Sequence, residues 1–179
     1  SRLGVIKNFE QAIQQCSEEI IFLSDQDDVW CKNKAEIILN HFNNNAEDVV
    51  FTNAFLINEN REKLPGDLFD VVHFGKKQKK HFKRNKFAMY MFLQKNYATG
   101  ATMAFRKNFV EECMPIPDCD CIIHDYWFAL ISSCIGKLAV IDTPTIYYRL
   151  HKSQLIGLPD KNSVAIVKHK KHTLLNQIV

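Results

Sequence analysis

"IIFLSDQDDVW", residues 20–30, sets the apolar run Ile20 to Leu23 against Asp25, Asp27 and Asp28 before the chain returns to Val29 and Trp30. The run predicts a short buried strand, with the carboxylates at its C-terminal end. Like charges this close repel, and each loses hydration under a fold, so the cluster suits a cation or a donor-rich ligand. The same residues also read as a solvated turn that caps the next helix.

Upstream of this run, "KNFEQAIQQC" has Phe9, Ile13 and Cys16 at helical spacing and predicts an amphipathic helix leading into the strand. "KNKAEIILNHF" predicts a second helix with Ala35, Ile38, Leu39 and Phe42 on one face, and "DVVFTNAFLI" a second strand. This alternation predicts an α/β fold, a mainly parallel sheet with flanking helices, in which ligands bind beyond the carboxyl ends of the strands. Further on, "KFAMYMFLQ" reads as a helix and "ATGATMAFRK" as a turn entering a strand. "IIHDYWFALISSCIG" reads as a helix ended by Gly136, and "KLAVI" and "TIYYRL" as two short strands separated by Pro144.

A chain of 179 residues, 46% of them hydrophobic, suits one domain with a real core. It has no apolar run of spanning length and no signal-peptide pattern, so it is expected to be soluble and cytoplasmic. The cysteines at 16, 31, 113, 119, 121 and 134 read as reduced thiols, and Cys119 and Cys121 lack the spacing and the second pair of a zinc site.

Charge is unevenly spread. No acidic residue lies between Val71 and Val110, a stretch that holds ten of the 23 Lys and Arg residues. Its densest part, with Lys76, Lys77, Lys79, Lys80, Lys83, Arg84 and Lys86, reads as a solvated loop or as a surface for anionic membrane or phosphate-bearing substrate. With Phe82 the only interleaved aromatic, nucleic acid is a poor fit.

Four stretches in order, "FLSDQDDVW", "ATGATMAF", "IIHDYWFAL" and "IYYRLHKSQLIG", together resemble the inverting GT-A glycosyltransferases of the bacterial family-2 type that includes rhamnosyltransferases of cell-surface polysaccharide synthesis. The resemblance implies a GT-A fold over residues 1–158 and a C-terminal basic helix or tail over 159–179. It implies a nucleotide-sugar donor, a saccharide or lipid-linked saccharide acceptor, and a divalent metal, Mn2+ or Mg2+. Asp27 and His151 would ligate that metal, Asp25 would face the donor ribose, and Asp28 would be an outer-shell or alternative ligand of the metal. One imidazole among carboxylates fits manganese somewhat better than magnesium.

Asp125 matches the family's catalytic base; its alternative role is a first-turn helix acid. Arg149 would neutralise the diphosphate or form a strand-end salt bridge. Gly100, Ala101 and Thr102 would line the acceptor side, with Trp127 either packing in the core or meeting the sugar.

Complete members of the family open with a strand of the "VSVIIPTYN" kind and a following strand ending in an acid. The resemblance therefore implies that about sixty residues of nucleotide-binding β-α units are lacking here. A sheet edge left open in that way would favour homo-oligomers. The tail "DKNSVAIVKHKKHTLLNQIV" reads as a capping or surface-binding helix.

Two other readings compete. "DQDDV" also resembles the D-x-D-x-V of haloacid-dehalogenase phosphatases, with Thr52 available but only Asp142 where a late acidic pair is needed. A non-catalytic remnant that binds an acceptor glycan or an anionic surface is the other.

Overall fold

The computed structural model describes residues 4–83, 88–118 and 122–151. Arg84, Lys86, the pair Cys119 and Cys121, and the expected tail at 159–179 lie outside the described residues.

Helix α1 (Val5–Gln15) leads into β1 (Ile20–Phe22), and β2 (Val29–Trp30) precedes α2 (Lys34–Asn44) and the long β3 (Val49–Ile57). Then come β4 (Lys63–Asp67), α3 (Leu68–Val71), α4 (Lys76–Phe82) and α5 (Ala88–Gln94). A 3-10 turn, Gly100–Thr102, enters β5 (Met103–Arg106), followed by α6 (Lys107–Glu112), α7 (His124–Cys134) and β6 (Leu138–Arg149).

The α/β class and flanking helices are as expected, but the sheet is mixed. Its order is β1-β5-β3-β6-β2, with β4 also on β3, and β3–β6 is the one parallel pairing among the described residues. β5 lies antiparallel between β1 and β3, so β1, β3 and β6 still run the same way. Helix–strand alternation correctly gave that common direction; the strand inserted between them comes from much later in the chain.

Pro144 does not divide the last strand in two. β6 is one twelve-residue strand, and the ladder to β3 slips on either side of Asn53, opposite Pro144. Proline lacks an N–H to donate, and a local irregularity absorbs the loss without ending the strand. The hydroxyls of Thr52 and Thr145 bond at 2.6 Å beside the slip.

Alternation along β3 divides the core between the two faces of the sheet. Phe51, fully buried, meets Phe69, Phe74, Phe82 and Phe92 with ring centroids 5.6–6.1 Å apart. Val50 faces the other way and packs with Ala104 and Ala139 against Ile38 and Phe42 of α2. That helix is turned from its expected face: Ala35 and Leu39 are exposed, and Lys34 is buried in their stead. The basic run 76–82 is helical rather than a loop, because Phe82 anchors it in the aromatic core and Lys79 pairs with Asp142 at 2.6 Å.

Candidate active site

The chain leaves β1 after Phe22 and re-enters the sheet at Val29, and these two strands occupy opposite ends of the strand order. Residues 23–28 must therefore cross four inter-strand spacings, about 19 Å, a span that seven residue steps cover with little slack. The crossing carries Asp25, Asp27 and Asp28 from the end of β1, where the Leu23 N–H meets Met103 O at the start of β5, to the end of β6, where Asp28 meets Arg149. An acidic loop at this rim was the expectation; the stretched crossing was not.

One ligand atom from each of Asp25, Asp27 and Asp28 lies within 4.8 Å of the others. Asp28 Oδ1 accepts the Arg149 main-chain N–H at 2.8 Å, whereas its buried Oδ2 has no hydrogen-bond partner. Burial pushes the Asp28 carboxyl up to about 7, and the charges of Asp27 and Asp25 add to the rise. Asp25 is also raised, by burial first and then by Asp27.

Asp27 Oδ2 lies 2.8 Å from His151 Nε2. The set is hard carboxylate oxygen with one adjoining imidazole, and it includes a buried oxygen lacking a donor. These residues fit a hard divalent cation.

Arg149 fastens this loop from beneath. Its Nε donates to the Asp27 carbonyl at 2.8 Å, and Nη1 donates to the carbonyls of Asn58 and Glu59 at 3.2 and 3.0 Å. These bonds tie the acidic loop to the β3–β4 connection.

Asp125 stands in the first turn of α7, 7% exposed. Its Oδ2 accepts the Gly100 N–H at 3.0 Å, and its Oδ1 accepts the Tyr126 N–H at 2.5 Å and the Asn96 side-chain amide at 3.4 Å. Burial pushes its carboxyl up to about 6 against the lowering effect of the main-chain donors Tyr126, Gly100 and its own N–H, and the charge of Asp25 contributes to the rise. The acidic cluster and Asp125 thus feel each other across one site.

Gly100 permits this approach: a Cβ there would lie 3.2 Å from His124 Nε2 and 3.5 Å from Asp125 Cβ. Thr102 closes the turn, its hydroxyl donating to the Thr99 carbonyl at 2.7 Å, and Ala101 is buried. Trp127 points elsewhere, donating its indole N–H to Cys113 O at 2.8 Å.

Two contributors, Lys34 and Asn96, escaped the sequence reading. Lys34 is wholly buried, with its ammonium 2.9 Å from Ala101 O and 4.0 Å from the centre of the Trp30 ring. Asn96 reaches Asp125, as described. His124 stacks on Phe9 with centroids 3.5 Å apart, and burial pushes its imidazole down to about 4. A cation at the first position of α2, six residues beyond Asp28, was the one available signal for Lys34, because a helix N-terminus disfavours positive charge.

The family model described as Glycosyl transferase family 2 matches residues 1–114, a span that contains the acidic cluster, Lys34 and Gly100–Thr102. Asp125, Arg149 and His151 follow the matched segment. Among curated proteins, none matches the chain.

Proposed function

This chain belongs to glycosyl transferase family 2, and we propose that it catalyses metal-dependent, inverting transfer of a sugar from a nucleoside-diphosphate donor, with Asp125 as the base. Family membership sets aside the phosphatase reading of "DQDDV". The observation that carries the mechanism is the pairing of two unlike carboxylate sites across one turn: a clustered, cation-seeking set and a single buried acid raised to about 6.

Asp27 and His151, with Asp28 beside them and Asp25 toward the donor ribose, would hold manganese or magnesium, whose chemistry when bound is Lewis-acid neutralisation of the departing diphosphate. Asp125 takes the proton of an acceptor hydroxyl as that oxygen bonds to the anomeric carbon. The bond from that carbon to the diphosphate oxygen breaks, and its electron pair leaves with the diphosphate. A carboxylate raised to about 6 is ionised at neutral pH yet more basic than an ordinary aspartate. Gly100 and Asn96 hold both of its oxygens in place, and Arg149 acts as a positioning residue for the loop that carries Asp27.

The acceptor is a saccharide or lipid-linked saccharide of bacterial cell-surface polysaccharide synthesis, with rhamnosyl transfer the closest subtype by motif. Exposed Lys76, Lys77, Lys80 and Lys83 support peripheral contact with an anionic inner membrane face, and the outer edge of β1 supports pairing with a second copy. Among the described residues no helix is long and apolar enough to cross a membrane.

The test is a screen of UDP- and dTDP-sugars with manganese, followed by NMR of the product. Nucleoside diphosphate release with inversion of the anomeric configuration is the expected result; retention would contradict Asp125 as a base that works in a single displacement.

A further inference from the structure

Lys34 opens α2, where a positive charge opposes the helix dipole, and it is buried to 0% exposure. An ammonium in such a place needs compensation from several directions. It has three: the Ala101 carbonyl at 2.9 Å, the face of Trp30 at 4.0 Å, and the negative charges of Asp28 and Asp25. Ala101 is the middle residue of the 3-10 turn, and its neighbour Gly100 donates to Asp125 Oδ2 at 3.0 Å. Contacts therefore run from Lys34 through the turn to Asp125, and the charges of Asp28 and Asp25 act on the Lys34 end.

We propose that Lys34 is a positioning residue that couples the acidic cluster to the turn Gly100–Thr102 and thereby sets the placement of Asp125. The proposal rests on the reading of this site as a glycosyl-transfer site. Lysine suits the task because one compact ammonium can face carboxylates on one side and donate to a carbonyl on the other. A side chain at 34 that cannot donate to Ala101 O loosens the turn whose Gly100 N–H Asp125 accepts. The donor side and the acceptor side of the site are then not independent.

A double-mutant cycle on the metal-free chain tests this, with hydrogen exchange at the Gly100 and Thr102 amides as the readout. Asp25→Asn and Lys34→Met should each speed exchange there, and the double variant should be no faster than Lys34→Met alone, a non-additivity of about threefold or more. Lys34→Gln, with the same expectation, serves if Lys34→Met does not fold. In the transfer assay at saturating donor and acceptor, Lys34→Met should lower kcat about tenfold or more while donor KM stays within about threefold, since misplacement of the base acts on the chemical step.

Additive effects on exchange, or unchanged exchange at the turn in Lys34→Met, would overturn the coupling whatever the activity. A non-additive cycle in a wild-type chain that transfers no sugar would uphold the coupling and overturn the enzymatic reading.

Discussion

Asp125→Asn is expected to lower sugar transfer by about a thousandfold, the middle of the range a general base contributes, and at the same time to make the protein more stable near neutral pH. Both effects come from the same burial. In the folded chain the carboxyl is pushed up to about 6, from an ordinary value of 3.8. The folded state therefore holds the proton more tightly than the unfolded state does. Stability from this group is fully present below about pH 4 and is lost as pH rises through about 6. Beyond that, ionised Asp125 costs on the order of 3 kcal/mol.

Asparagine has no charge to bury, and its Oδ1 can still accept the Gly100 N–H. Thermal melts of Asp125→Asn should therefore rise by several degrees at about pH 7.5, with the gain vanishing toward pH 4. The wild-type rate should fall on the acid side with a midpoint near 6. A variant that loses both activity and stability would make Asp125 a structural helix acid instead.

Asp27→Ala carries the second large effect. Its carboxylate is 30% exposed and meets His151 at 2.8 Å, while its main-chain carbonyl, which the substitution keeps, is what Arg149 grips. The loop should stay fastened to the β3–β4 connection, and removal of one of three like charges leaves folding unharmed. Manganese affinity should nevertheless fall by about a hundredfold, since a ligand and the partner of His151 are lost together. Equal manganese affinity in the variant would take Asp27 out of the metal set and leave Asp25 and Asp28 as the candidates.

The strand before the acidic cluster, the helix carrying Asp125 and the turn at Gly136 were legible because each is a local pattern: an apolar run, a helical spacing, a glycine at φ 71°. What escaped the sequence was non-local. β5 pairs between β1 and β3 although it lies far beyond both in the chain, and no periodicity encodes that neighbourhood. Pro144 read as a break because the local rule forbids it a ladder bond, yet β3 pairs with β6 both before and after it and carries the chain through.

Lys34 is the clearest case. By itself it is a polar residue expected in water, and its burial makes sense only beside Asp25, Asp28 and the Ala101 carbonyl, which the fold assembles. The residues with chemistry were readable one at a time; the contacts that tie them into one site were not.

Calorimetric titration of UDP and dTDP into this chain, with and without manganese, tests most directly whether the acidic cluster is a diphosphate site. Binding that requires manganese and disappears in Asp27→Ala is the result predicted here. Equal binding without the metal, or none at millimolar ligand in its presence, would contradict it.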